Sequence, residues 1–254
     1  MPRSLPPRML ATDLDGTLVG NREGLSRLKD VLQAHAGRWM LVYATGRTLS
    51  QGRQLQEDEG LPEPDVWVTE VGAAITYKDE GPDLAWRGKM AAHWNRDFVE
   101  RTALAWPELT PQPVEANGDF KVPFRVAPSD AAEIFPVLTE RLKAGDSPAL
   151  LVYSSQRDLD IIPAAAGKGA ALSHLMARFG VGLADMLTCG DSANDRDMLC
   201  LGGPAVAVGN AHAELVETGL PTTVLRAKGH AADGILEALT HYGWLELDPP
   251  GVAR

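Results

Sequence analysis

Met9-Leu10-Ala11-Thr12-Asp13-Leu14-Asp15-Gly16-Thr17 is a short apolar run that ends in two aspartates two residues apart. Residues 9–12 fit a buried strand, so Asp13 and Asp15 emerge at its carboxyl end, where open α/β sheets place their ligands. Carboxylates this close repel unless a cation, a proton or strong donors offset the charge. Gly16 lets the chain turn sharply without a Cβ clash. Together they suggest a metal-assisted site, one carboxylate free to attack and a second to carry protons. Asp15-Gly16 alone is better read as an ordinary hairpin turn. A calcium loop would need Gly and Glu where Leu18 and Gly24 stand, so that reading fails. A phosphate-binding P-loop around Gly167-Lys168 fails too, because Ile162 holds the place of its first glycine.

Outward from this stretch, strand and helix patterns alternate. Helical spacing of Leu25, Leu28, Val31 and Leu32 predicts a helix over 24–35, and Gly37 ends it. Residues 39–44 read as a second buried strand, 48–59 as a helix and 66–69 as a third strand. This βαβαβ order predicts a parallel, doubly wound sheet. The polar, turn-rich run 78–83 marks a boundary. Beyond it, helices are expected over 91–105 and 129–143, with strands at 120–126, 150–153 and 159–162, a small α+β insert. Trp94 and Phe98 read as core contacts. Alternation resumes with a helix over 168–179, a strand at 186–189, a short helix over 194–200, a strand at 205–208 and a closing helix over 231–241.

Composition narrows the function. The chain has 254 residues, 44% of them hydrophobic, enough for one large domain or two modest ones. Its formal net charge of -10 argues against nucleic acid or an anionic membrane surface as main partner. A phosphorylated substrate stays compatible, since a few local cations and a metal can offset its charge. No apolar run approaches the roughly 18 residues that span a bilayer, and the opening eight residues lack a secretory segment. Cys189 and Cys200 are the only cysteines and suggest no disulfide framework. A cytoplasmic location is expected.

Three further segments share the position of the first, after a strand or at a helix start. Thr45-Gly46-Arg47 follows the strand ending at Ala44, and a hydroxyl with helix-start amides suits phosphoryl oxygens. By itself this pair is more often a helix cap. Lys168 lies between Gly167 and Gly169 at a helix start, where a cation is electrostatically disfavoured. Gly190-Asp191-Ser192-Ala193-Asn194-Asp195 follows the strand 186–189, and its oxygens could converge on one magnesium ion or form an N-cap and polar loop. A phosphate–magnesium site accounts for all four segments at once.

Asp13-Leu14-Asp15-Gly16-Thr17, Thr45, Lys168 and Gly190-Asp191-Ser192-Ala193-Asn194-Asp195 resemble, in order, the four motifs of haloacid-dehalogenase-like phosphatases. Tyr43-Ala44-Thr45-Gly46-Arg47, Pro64-Asp65-Val66-Trp67-Val68-Thr69, His93-Trp94 and Gly234-Ile235-Leu236-Glu237-Ala238 resemble the sucrose-phosphate phosphatase branch. That resemblance implies a Rossmann-like core over 1–79 and 163–254 and an α+β cap of the C2B type over 80–162, which sets specificity. It implies Asp13 as nucleophile and Asp15 as acid and base. Thr45, Gly46 and Lys168 would hold the phosphoryl group, and Asn194 would orient Lys168 or the phosphoryl group. Magnesium would bind Asp13, the Asp15 carbonyl and Asp191, with Asp195 through water.

Arg47, Asn117 and Lys121 are the candidate sugar contacts, with Gln156 and Asp160 behind them; a solvated strand lysine is the plainer reading of Lys121. Gly72-Ala73-Ala74-Ile75 lacks the hydroxyl and carboxylate of the branch's Gly-Ser/Thr-Glu-Ile. Asn117-Gly118-Asp119-Phe120-Lys121 has one residue more than its Asn-Pro-Trp-Lys, and Gly167 replaces its asparagine. The leading expectation is a phosphatase of sucrose 6-phosphate or of another glycosyl phosphate such as mannosylfructose- or glucosylglycerol-phosphate. A phosphosugar mutase and a non-catalytic sugar-phosphate-binding partner of a glycosyltransferase are the alternatives. A monomer is expected, with a glycosyltransferase as candidate partner.

Overall fold

The computed structural model describes residues 8–217 and 219–245. In chain order the first elements are β1 (Arg8–Thr12), α1 (Arg22–Ala34), β2 (Trp39–Ala44), α2 (Leu49–Glu59), β3 (Val66–Thr69), β4 (Ala74–Tyr77) and β5 (Gly81–Pro82). Then follow α3 (Leu84–Ala91), α4 (Arg96–Ala103), β6 (Thr110–Pro111), β7 (Val122–Arg125), α5 (Pro128–Ala144), β8 (Ala149–Ser154) and β9 (Asp158–Pro163). The chain continues through α6 (Lys168–Phe179), β10 (Met186–Gly190), α7 (Arg196–Leu199), β11 (Ala205–Ala207), α8 (Ala213–Glu217), β12 (Leu225–Arg226) and α9 (Ala232–His241).

The large sheet has the order β12-β11-β10-β1-β2-β3-β4-β5. Its pairs are parallel from β12 to β3 and antiparallel at β4 and β5. Successive residues of a strand face opposite ways, and here both faces are covered. Met9, Ala11, Met40, Val42 and Val68 pack in one layer with Leu172 and Leu175 of α6 and Trp86 and Met90 of α3. Leu10, Leu41, Tyr43 and Trp67 pack in the other with Leu25 and Leu28 of α1 and Ile235 and Leu239 of α9. Burial on both sides is why β1 and β2 appear in the sequence as unbroken apolar runs. Strand β1 lies between β2 and β10, so the chain reverses its direction of winding there. The loops after these three strands meet at one edge, the crevice where α/β sheets bind ligands.

The second sheet is antiparallel, in the order β6-β7-β9-β8. Val122, Phe124, Leu159 and Ile161 point to one side and pack with Val99 of α4 and Ile134, Leu138 and Leu142 of α5. The period of two then puts Lys121, Asp158 and Asp160 on the opposite face. Those three side chains line a cleft against the loops of the large sheet. Trp94 and Phe98 pack partly buried against the second sheet's core.

One element differs in kind from expectation. Residues 91–105 are not a single helix: α3 ends at Ala91 and α4 starts at Arg96. Asn95 interrupts by capping α4, its side chain accepting the Phe98 amide at 3.0 Å. Its own amide donates to Ser147 Oγ at 3.1 Å. Asp83, in the run assigned to a polar turn, caps α3 by accepting the Trp86 amide at 2.9 Å. A short polar residue outside the helix thus decides each boundary. None of the described helices is long and apolar enough to cross a membrane.

Candidate active site

Asp13 leaves the end of β1 with its amide donating to the Cys189 carbonyl at 3.0 Å, which fixes it beside β10. Lys168, at the start of α6, is completely buried. Its Nζ donates to Asp13 Oδ1 at 2.7 Å and to Asp195 Oδ1 at 2.6 Å. Asp195 Oδ2 accepts the amides of Asp191 at 2.9 Å and Ser192 at 3.0 Å. Both Asp195 oxygens are therefore engaged, which suits it to holding Lys168 and the 191–195 loop. Asp191 Oδ1 accepts the Thr17 hydroxyl at 3.2 Å. Gly16 has φ +77°, and a Cβ there would lie 2.3 Å from Asp191 Oδ2. Only glycine satisfies both the turn and that close approach.

Carboxylate oxygens of Asp13, Asp191 and Asp195 all lie within 4.8 Å of one another, and all three residues are buried. Burial pushes the Asp13 carboxyl up and Lys168 pulls it down, while Asp195 and Asp191 push it up again, leaving a net rise. Burial would lower the Lys168 pKa, but Asp13 and Asp195 outweigh it and keep the ammonium charged. Asp191 is pushed up to about 6, by burial first and then by Asp195. Three carboxylates thus face one ammonium. A divalent cation fits this oxygen-rich, negatively charged group, with Asp13 and Asp191 the less committed ligands.

Asp15 lies outside this buried group. Arg47 clasps it, Nε to Oδ2 and Nη2 to Oδ1, both at 2.7 Å. Arg47, expected to meet substrate, is therefore paired with Asp15 here. The Thr45 amide donates to the Val68 carbonyl at 2.8 Å, and Thr45 Oγ1 accepts the Arg47 amide at 3.1 Å. The threonine caps its own loop and keeps its hydroxyl proton for another acceptor. Asn194 Nδ2 faces the same loop, 3.9 Å from where a Cβ of Gly46 would stand. Lys168 is oriented by the hydrogen bonds it donates to Asp13 and Asp195.

These groups border a cleft of about 520 Å³, whose lining includes Asp13, Asp15, Thr45, Gly46, Asp191 and Asn194. The second sheet supplies the other wall, with Gln112, Lys121, Ser154, Arg157, Asp158 and Asp160. Lys121 is no solvated strand lysine: it is 3% exposed. Its Nζ donates to the Gly46 carbonyl at 2.8 Å and lies 3.6 Å from Asp160 Oδ1. Burial pushes the Asp160 carboxyl up, and Lys121 pulls against it. Asn117 is not among the residues lining the cleft; its Oδ1 accepts from Arg96 Nη2 at 2.6 Å.

Several contributors were not singled out in the sequence. Thr17 holds Asp191. Asn210 donates to the Gly16 carbonyl at 2.7 Å and accepts the Ala231 amide at 2.6 Å, bracing the turn after Asp13. Asp197 accepts the Gly169 amide at 2.8 Å, capping the first turn that carries Lys168. A signal existed for Asn210, which follows β11 as the recognised loops follow β1, β2 and β10. Thr17 lies in the recognised loop after β1 but its partner was not legible, and Asp197 carries no such mark, because their roles depend on contacts between segments far apart in the chain.

A family model described as sucrose-6F-phosphate phosphohydrolase matches residues 6–243. A probable sucrose-phosphatase 3a of Arabidopsis thaliana is 36% identical over 225 residues, 84% of this chain and 53% of that protein. The chain thus spans about half the length of that relative. The mannosylfructose-phosphate phosphatase of Agrobacterium fabrum is 33% identical over 243 residues, 94% of this chain and 98% of that protein. The sucrose-phosphatase of Synechocystis sp. PCC6803, solved with sucrose and phosphate, superposes with a TM-score of 0.87 at 33% identity. That match covers 93% of this chain and 98% of the other. The chain belongs to the sucrose-6F-phosphate phosphohydrolase family, a branch of the haloacid-dehalogenase-like hydrolases.

Proposed function

We propose that this protein is a magnesium-dependent phosphatase that releases inorganic phosphate from a glycosylated sugar phosphate, sucrose 6-phosphate foremost. The observation that carries the reading is the contact of Asp13, which lines a cleft whose other wall is polar, with Lys168 fully buried behind it. Asp13 Oδ attacks phosphorus, the bond from phosphorus to the sugar oxygen breaks, and the phosphoryl group passes to Asp13. Asp15 gives its proton to the departing oxygen, then takes one from the water that hydrolyses the aspartyl phosphate. For this step Asp15 must part from Arg47 and take its proton from solvent before the transfer, the substrate phosphoryl group offering the guanidinium another partner. Thr45 Oγ1, the Gly46 amide and Lys168 hold the phosphoryl oxygens, and Asn194 flanks them.

Magnesium would be held by Asp13, Asp191 and the Asp15 carbonyl, with Asp195 acting through water. Bound there, the ion would offset the clustered carboxylate charge and draw charge from the phosphoryl oxygens. We take as the cap the insert expected over 80–162 less β5 and α3, which go with the large sheet and its covering layer, and the described segments on either side as the core. The cap wall of Lys121, Asp158 and Asp160 meets the sugar. We place the protein in the cytoplasm as a monomer, taking its substrate from a glycosyltransferase.

Mannosylfructose phosphate is the second candidate substrate. It is favoured by the match spanning 98% of the bacterial phosphatase and by Ala73 and Ala74, where sucrose-phosphate phosphatases carry a hydroxyl and a carboxylate. The test is phosphate release across a panel of sugar phosphates containing both compounds, with and without magnesium. Release that requires magnesium and no sugar bisphosphate supports the reading. Isomerised sugar phosphate without free phosphate means a mutase, and no turnover means a binding protein.

A further inference from the structure

Glu70 and Val71 follow β3 directly, and both occupy the left-handed region, with φ of 55° and 56°. For a non-glycine residue that conformation is strained and persists only where its surroundings hold it. Here the holding contacts come from the phosphate-binding loop. The Glu70 amide donates to the Arg47 carbonyl at 2.9 Å, and the Val71 amide to the Thr45 carbonyl at 3.1 Å. Val71 also packs against the Gly46 backbone, its Cγ2 3.7 Å from where a Cβ would stand.

The bend aims the Glu70 side chain at the cap. Its Oε2 accepts the Phe120 amide at 3.4 Å. A Cβ on Gly118 would lie 2.0 Å from Glu70 Oε2, so the carboxylate occupies the space that glycine leaves. Burial pushes the Glu70 carboxyl up, while the Phe120 amide and Lys121 pull it down. One residue beyond Phe120, Lys121 returns its Nζ to the Gly46 carbonyl. The contacts close a ring from the 45–47 loop through Glu70 and Phe120 to Lys121 and back to Gly46. The glycine within the longer cap loop and the strained glutamate in the core fit one another.

We propose that Glu70 is a positioning residue that locks cap loop 117–121 against phosphate loop 45–47 and so sets Lys121 at the sugar end of the cleft. The proposal rests on the sugar phosphatase reading for its kinetic consequence, though not for its structural one. E70G is the clean probe, because glycine accepts φ near +55° and only the carboxylate is lost. E70Q keeps an acceptor for the Phe120 amide. G118A adds the Cβ that displaces the carboxylate.

Two measurements decide it. Amide hydrogen exchange over 117–121 in E70G should exceed that of the native protein, with E70Q close to native. Turnover should separate by substrate. In E70G, kcat/KM for the best sugar phosphate falls about tenfold, mainly through KM, while p-nitrophenyl phosphate stays within about twofold. G118A should reproduce the loss, and the double variant should be no worse than either single one. Unchanged exchange in E70G, or a parallel loss on both substrates, overturns the proposal. Exchange needs no turnover, so failure of the phosphatase reading and failure of this lock are separately visible.

Discussion

Asp13 and Asp15 are two residues apart and meet opposite surroundings. Asp13 turns inward to Lys168, while Asp15 stays half exposed in a two-pronged pair with Arg47. The sequence displays both carboxylates and their places at a strand end, but not which cation each one meets. That depends on where α6 and the loop after β2 arrive. Asp191 shows a related tension. Its carboxyl is pushed up to about 6, so its ionised form destabilises the metal-free fold near neutral pH. D191N should therefore leave the metal-free protein as stable as the native one or slightly more so. Saturating magnesium should raise the native Tm by about 5–10 °C, and D191N should lose most of that gain. Calorimetry on chelator-treated protein checks this. An equal magnesium increment in both proteins would remove Asp191 from the metal site.

At the scale of elements, Asp83 shows what polar spacing concealed. Residues 78–83 look like a linker, yet Asp83 is buried and joins three elements. It accepts the Trp86 amide of α3, the Tyr77 hydroxyl of β4 and, at 2.8 Å, His174 Nε2 of α6. Burial works to raise its pKa, but these donors outweigh it and hold the carboxyl down to about 2. A depressed carboxyl stabilises the fold above its unfolded value of about 3.9, and the contribution is lost as pH falls towards about 2. D83N should cost roughly 1–3 kcal/mol near neutral pH and flatten the acid-side loss. Urea midpoints across that window measure both. Parallel curves for the two proteins would show that the charge does not matter. Sequence pattern finds helices by apolar period, and α3 escapes it because Trp86 and Met90 are its only large buried side chains.

For the whole molecule, the parallel sheet was legible because apolar runs of four to six residues alternate with helical patterns and end in polar loops. The order β10-β1-β2 follows from doubly wound topology, and with it the meeting of Asp13, Thr45 and Asp191. The cap was legible as an α+β insert, but its polar face was not. Lys121 and Asp160 were candidate sugar contacts from sequence, but the plainer reading of Lys121 as a solvated strand lysine falls only when the second sheet is laid over the first. Glu70 was silent because its role arises only from the left-handed bend that aims it across the cleft. The central claim is that this cleft transfers phosphate through Asp13. The direct measurement is acid-quenched turnover of the best sugar phosphate, followed by tryptic mapping of the peptide 9–22, which carries both Asp13 and Asp15. The account predicts a phosphoryl adduct on Asp13 that requires magnesium and disappears, together with phosphate release, in Asp13→Asn. Sustained phosphate release by Asp13→Asn, or an adduct on a different residue, would contradict it.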